Sequence, residues 1–587
     1  MENIQPSRWT LDTLLTATEG PEFERLLAEL EQQVAQAEAS RDRLSPQIGD
    51  DDFLSLLRLL EQIQRIERRL SMYAELCFAE NTQSQAAMSL LGRMEQLSAD
   101  VRNRLLFFAL WWKTLDDEPA ARLLAISGDY RYHLESLRRF KPHTLSEAEE
   151  KIINLKNVNG VNALVALYQT ITNRFSYRLT VDGQEKEVTR AELTSYYYDP
   201  RPEQRAAAYR ALLGTYETYS TVLGQIYAHR VRDWASENVT VRHFPSPIAM
   251  RNLENDIPDP VVETLLGVVR DNMPIFQRYF RWKAHRLGME RLRRYDLYAP
   301  LRATERRYSF AEAVQFILET FARFSPTLAG HARRIFDDRH LDAEIRPGKE
   351  SGAFCASVLP ALTPWVLVNY AGQMDSMLTL AHELGHAVHA LMAGEHSVFT
   401  FHSALPMAET ASIFSEILLT DRLLCEENDP QVRSDLLAKV LDDAYATIAR
   451  QAHFVIFEQE AHPRVVAGAL TDDLCALYLD DLHRQFGNAI EISEDFRWEW
   501  LAIPHLYHTP FYCYAYAFGH LLVLSLYRQY RDEGASFVPR YLQILATGGA
   551  ASPTQITRQA GFDIASPDFW QGGFDVLGGM LEELETL

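Results

Sequence analysis

A chain of 587 residues, 47% hydrophobic and with ordinary glycine and proline content, has enough apolar mass for one large helical body or a few domains. A net charge of −22 argues against nucleic acid and anionic membrane surfaces as partners, and five scattered cysteines with no Cys-x-x-Cys exclude a disulfide framework and fit a cytoplasmic protein. Residues 1–15 lack a basic stretch leading into an apolar one, and no run of about 18 apolar residues follows, so neither a secretory signal nor a membrane helix is expected.

From about residue 20 to 140, apolar side chains recur at three- and four-residue steps. Phe53, Leu54, Leu57, Leu60, Ile63 and Ile66 carry the pattern, which predicts a bundle of long antiparallel helices. Residues 175–188, FSYRLTVDGQEKEV, alternate around Asp182-Gly183 and predict a β-hairpin. Thr189–Glu192, TRAE, reads as a capping box opening the next helix, and Ser309–Glu312, SFAE, as another. Asp199-Pro200 and Pro202 set a boundary near residue 200, between an N-terminal helical domain (1–200) and a second domain (201–587). Between about 345 and 370, SGAFCASVLP and PWVLVNY read as short strands. The remainder is helical, with Ser552-Pro553 and Ser566-Pro567 at late helix starts.

The strongest motif follows those strands. Residues 382–386 read His-Glu-Leu-Gly-His inside DSMLTLAHELGHAVHALMAG, a predicted helix capped by Asp375 and ended by Gly394. Residues four apart on a helix share a side, with Cβ atoms about 6 Å apart. His382 and His386 can therefore reach one zinc ion without bending the backbone, and Glu383 flanks it as a base for the attacking water. A catalytic zinc needs three protein ligands and an open position. Glu409, in the first turn of a helix beginning PMAETASIFSE with Leu405, Ile413, Ile417 and Leu418 as its buried stripe, offers an inward carboxylate in want of a partner. Glu416 lies two turns further on nearly the same face. It can accept a hydrogen bond from a ligand imidazole, or sit at the surface or in an interhelical salt bridge. His389 reads as a packed or rim histidine.

HELGHAVH followed by MAETASIFSE, with Glu409 placed 23 positions after His386, resembles the thimet oligopeptidase and oligopeptidase F family of zinc metallopeptidases. GKESGAFCAS (348–357) and INLKNVNGVNALVALYQTITNRFSY (153–177) resemble its oligopeptidase F branch. By this resemblance His382, His386 and Glu409 are the ligands of one zinc ion and Glu383 is the base. The resemblance also implies a mostly α fold: a two-lobed helical body with a deep central substrate channel and a small β-sheet beside the motif helix. The expected activity is endopeptidase cleavage of short unstructured peptides, with no nucleic-acid or membrane partner.

Residues 503–519, IPHLYHTPFYCYAYAFG, crowd two histidines and four tyrosines together. Such phenol and imidazole groups can donate to a developing oxyanion. The resemblance implies catalytic roles for His508 and Tyr512 and substrate contacts for His505 and Tyr514. Pro510 stands where the thimet branch is glycine-rich, so a stiffer loop is expected. Two rivals are a zinc carboxypeptidase or dipeptidase on the same helical fold and a non-catalytic peptide-binding protein. An intact Glu383 argues against the latter, because binding alone has no use for a base.

Overall fold

The computed structural model describes residues 5–301 and 307–587. It is mostly helical with only short strands. The chain divides into two compact units, each assembled from three segments. The first comprises Met1–Lys141, Glu305–Glu426 and Gln529–Asp563, and the second Pro142–Thr304, Glu427–Arg528 and Ile564–Leu587. The boundary expected near residue 200 concerns order along the chain, whereas these units follow packing.

In the first unit the predicted bundle is present as helices Pro21–Ala39, Asp50–Glu80, Gln85–Thr114, Asp117–Ile126 and Arg131–Arg139. Phe53, Leu57, Leu60, Ile63 and Ile66 are buried on one stripe of the second of these. Fully burying each such side chain contributes roughly 1.5–3 kcal/mol. The bundle's core runs without a break into a three-stranded sheet through Ala356, Trp365 and Leu367. That sheet consists of β1 (Leu341–Asp342), β2 (Phe354–Ala356) and β3 (Trp365–Leu367), in the order β1-β3-β2, with β1 parallel and β2 antiparallel to β3. The continuous apolar PWVLVNY is thus the central strand, buried on both faces. SGAFCAS supplies an edge strand. Residues near the start of the chain tie the two layers together: Trp365 Nε1 donates to the Thr10 carbonyl at 2.8 Å, and Trp9 packs on Phe354.

Lys349 holds the turn between β1 and β2. Its side chain is wholly buried and donates to the carbonyls of Asp342, Glu344 and Val368 at 2.7–3.0 Å, while its charge faces the Asp342 carboxylate at 2.9 Å. Arg346 pairs with the same carboxylate. This knot draws the ends of β1 and β3 onto the loop that delivers β2.

After the sheet come α1 (Met374–Met392) and α2 (Thr410–Glu426). Two expectations need correction here. Gln373, not Asp375, is the residue before α1; Asp375 lies inside the first turn and makes no cap, although its charge suits the positive helix end. Leu405 is exposed, because a separate short helix, Leu405–Ala408, precedes α2, and Glu409 sits at the junction of the two.

In the second unit the hairpin pairs Tyr177–Val181 with Gln184–Val188, with Asp182 and Gly183 both at positive φ as a two-residue turn of this hand requires. Both predicted capping boxes, at Thr189 and at Ser309 in the first unit, are formed. The ion pairs Arg205–Asp296 and Arg294–Glu499 are buried in the second unit, and the buried Lys283 pairs with the partly exposed Asp442. Buried charges persist only when matched in this way. No helix among the described residues is long and apolar enough to cross a membrane.

Candidate metal centre

The geometry of α1 brings His382 and His386 to one side of the helix, and α2 packs across that side. The crossing is made possible by Gly385. A Cβ there would lie 2.6 Å from both the Ala411 carbonyl oxygen and Ser412 Cα. Only glycine lets the two backbones come this close, and the contact fixes where Glu409, just ahead of α2, is delivered.

His382 Nε2 and His386 Nε2 are 3.2 Å apart. Glu409 Oε2 lies 3.3 Å from the first and 3.4 Å from the second. Among the described residues this is the only group of three or more such side chains close enough to share a metal ion. Three lone-pair donors facing one another repel unless a proton or a cation lies among them. The bond lengths of zinc to imidazole and carboxylate, about 2.0–2.2 Å, put tetrahedral corners roughly 3.3–3.5 Å apart. Donor types and spacing therefore fit such an ion.

The surroundings orient these donors. His382 Nδ1 lies 2.5 Å from Glu416 Oε1; the carboxylate can only accept, so Nδ1 carries a proton and donates, which leaves Nε2 as the nitrogen turned toward His386 and Glu409. Ser412 Oγ donates to Glu409 Oε2 at 2.7 Å. Burial lowers the proton affinity of His382, but the Glu416 hydrogen bond and charge outweigh it and lift the imidazole to about 8. Burial alone lowers His386 more than Glu409 can restore. Burial raises the Glu383 carboxyl to about 7; Glu409 and Glu416 add to this and His382 opposes it. Glu416, from α2, makes this contact with His382 of α1 while its own side chain stays partly exposed.

His382, Glu383, His386 and Glu409 line a cleft of about 460 Å3 within the first unit, together with Phe354 and Cys355 of β2, Ser357, His389 and the segment Phe401–Ser403. Glu383 is buried at its wall. The edge strand β2 faces this cleft, whereas β3, in the middle of the sheet, has no open edge to offer. His389 is buried, as a packed histidine should be, yet it borders the cleft too.

The histidine- and tyrosine-rich segment lies in the second unit. His505 and Tyr512 are half-buried with parallel rings 5.9 Å apart, and the Tyr516 hydroxyl is 3.4 Å from His505 Nε2. His508 is half-buried, and its Nε2 meets no hydrogen-bond partner among the described residues. Burial lowers the proton affinity of both histidines. Tyr514, by contrast, is fully buried, and its hydroxyl accepts from Asn255 Nδ2 at 2.9 Å. The tyrosine that joins the half-exposed cluster is Tyr516, one helical turn after Tyr512, and that four-residue spacing was its signal.

Sequence reasoning missed the frame of this segment. Phe511 adopts φ 58°, a left-handed conformation unusual for an aromatic residue. Its N–H donates to both oxygens of the buried Glu458 at 3.0 Å. Arg230 Nε and Arg251 Nε hold the flanking carbonyls of Tyr507 and Pro510, each at 3.1 Å. Two buried arginines and a buried carboxyl, far away in sequence, thus hold this segment alongside Pro510.

A helical fold with two imidazoles and a carboxylate clustered in one cleft is an arrangement a metallopeptidase centre requires. Residues 195–576 match the model of peptidase family M3, and residues 111–177 match that of oligopeptidase F. The chain belongs to peptidase family M3 and is a peptide-bond hydrolase. It is 27% identical over 598 residues to the group B oligopeptidase PepB of Streptococcus agalactiae, covering 99% of this chain and 97% of that one. With the oligopeptidase PepF of Bacillus subtilis it shares 27% identity over 466 residues, covering 78% and 69% of the two chains. The fold matches a crystal structure from Chlamydophila abortus with a TM-score of 0.90 (23% identity; 100% and 99% covered). It matches oligoendopeptidase F from Enterococcus faecium with a TM-score of 0.72 (22% identity; 96% and 98% covered).

Proposed function

We propose that this peptidase is a zinc-dependent endopeptidase of short unstructured peptides. In this reading His382, His386 and Glu409 hold one zinc ion and Glu383 is the general base. The observation that carries it is the convergence of two imidazole nitrogens and one carboxylate oxygen at 3.2–3.4 Å. When bound, zinc supplies Lewis acidity to the scissile carbonyl and to the attacking water.

The chain's own groups do the rest. Glu383 takes the proton of the attacking water and passes it to the leaving nitrogen. Glu416 fixes the tautomer and tilt of His382. The open edge of β2 pairs with an extended peptide through backbone hydrogen bonds, which suits unstructured substrates. His508 and Tyr512 donate to the developing oxyanion and His505 touches substrate; their half-buried, polar setting supports this. Glu383→Gln should keep the metal and lose nearly all turnover of a quenched fluorescent peptide. Full activity of that variant would sink the mechanism. A peptide amidated at its C-terminus should still be cut internally, and failure to cut it would point to a carboxypeptidase.

The division into an N-terminal helical domain, 1–200, and a peptidase domain, 201–587, belongs to the same proposal, supported by family matches that end at 177 and begin at 195. None of the five cysteines forms a disulfide, which supports a reducing, cytoplasmic setting.

A further inference from the structure

His402 is an exposed residue of the wall that also carries His382, Glu383, His386 and Glu409. Its Nε2 lies 2.7 Å from Arg68 Nη2, in a contact open to solvent. A guanidinium only donates, so the His402 ring is neutral with its proton on Nδ1. Arg68 comes from the second bundle helix, Asp50–Glu80. Among the described residues no carboxylate is within ion-pair distance of it, and the histidine is its one hydrogen-bond partner. The neighbouring acids do not neutralise it by contact. Glu67, next in the chain, accepts from Gln64, Ser71 and Ser98 instead, and Glu75 acts on Arg68 only through longer-range charge.

What sets Arg68 apart is that its one contact is a histidine of the cleft wall. Most of a guanidinium's five donors stay unused, in a fork that matches a carboxylate. The segment that presents His402 is held firmly. Asp129 accepts from Ser397 N at 2.5 Å and from Thr400 Oγ1 at 2.9 Å, and pairs with His396. On the other side Gly549 N donates to the Thr400 carbonyl at 2.8 Å, and a Cβ at Gly549 would stand 2.0 Å from the His402 carbonyl oxygen. A fixed histidine thus aligns a cation with spare donors beside the cleft of a peptidase.

We infer that Arg68, aligned by His402, is a carboxylate-recognising subsite that selects peptides carrying a negative charge at one position relative to the cleaved bond. The ligand is a peptide carboxylate, from either the C-terminus or an Asp or Glu side chain. The inference rests on the peptidase reading for the identity of the ligand, and on the Arg68–His402 geometry for the chemistry.

The test uses the full-length enzyme and two sets of matched fluorescent peptides. One set compares a C-terminal acid with its amide; the other moves a Glu or a Gln through successive positions. In one set the carboxylate member should be favoured by about tenfold in kcat/KM, chiefly through KM, the size expected for a charge-assisted bidentate contact. Which set carries the ratio identifies the source of the carboxylate. Arg68→Gln should bring the ratio close to one, and Arg68→Lys, which keeps charge but loses the fork, should leave an intermediate ratio. Thermal melts of both variants establish that they are folded. The same peptides are titrated onto Glu383→Gln protein by fluorescence anisotropy, where the preference should persist, and onto the Glu383→Gln, Arg68→Gln double variant, where it should vanish. Equal handling of both members by the wild type, or an unchanged ratio in Arg68→Gln, overturns the inference. Discrimination in binding by a wild-type protein that cleaves none of the peptides would instead remove the peptidase reading and leave the carboxylate site standing.

Discussion

Gly385 sets how closely α1 and α2 approach, and the whole donor triangle depends on that distance. Adding one methyl group there pushes against the backbone at Ala411 and Ser412, not against a side chain that could swing away. Gly385→Ala should therefore destabilise the fold by about 1–3 kcal/mol, the usual range for overpacking. It should also weaken metal retention, because Glu409 moves with α2. A thermal melt and a metal-competition titration read the two effects separately, and an unchanged melt would show that the helices can slide apart freely. At this scale the sequence was a good guide to identity and a poor one to reasons. The two histidines and Glu383 are legible because helical spacing alone places them. The role of the glycine inside the same motif is not legible there, since the backbone it must clear lies 26 positions downstream at Ala411. Tyr512 and Tyr514 lie two residues apart in one aromatic segment; burial against Asn255 separates their surroundings.

At the scale of elements, single buried polar side chains hold turns and loops in place. Lys349 gathers three carbonyls and one carboxylate around the turn that presents β2. Lys349→Met leaves those carbonyls unsatisfied and Asp342 with Arg346 alone, and should cost about 3–5 kcal/mol in a denaturant titration. Full stability of that variant would refute the stitching role. Glu458 does similar work for the segment around Phe511 in the second unit. Burial lifts its carboxyl to about 8, while the Phe511 N–H, Arg251 and Arg230 pull the other way. His462 stands 3.9 Å from it. The folded chain then holds this proton more tightly than the unfolded chain. The neutral carboxyl's contribution is fully present below the ordinary carboxylate range and fades as pH rises towards about 8. Stability should fall by about 1.4 kcal/mol per pH unit across that window relative to Glu458→Gln, in which the slope is absent. Parallel pH profiles for the two proteins would contradict the assignment. Neither lysine nor glutamate could be singled out in the sequence, where each is one charge among many. Their roles arise from carbonyls that only tertiary structure brings within reach.

For the whole molecule, the strongest local signals were also the most faithful. Capping boxes at Thr189 and Ser309, the Asp182-Gly183 turn and the bundle stripe from Phe53 to Ile66 all follow from contacts within a few residues, and all are formed. What local patterns do not carry is the route of the chain between units. The helical bundle shares its core with β2 and β3, more than 200 residues away in sequence, because Trp365 and Leu367 need apolar cover that the bundle provides. That shared core is why Arg68, from a helix with no motif of its own, reaches the segment beside the candidate metal centre. The central claim is that two histidines and one glutamate, delivered by α1 and the start of α2, hold a single zinc ion. Metal content per chain, measured by elemental analysis on purified wild-type, Glu409→Ala and Glu383→Gln proteins, tests it most directly. The account predicts one zinc per chain in the wild type and in Glu383→Gln, and almost none in Glu409→Ala. A full complement of zinc in Glu409→Ala would contradict it.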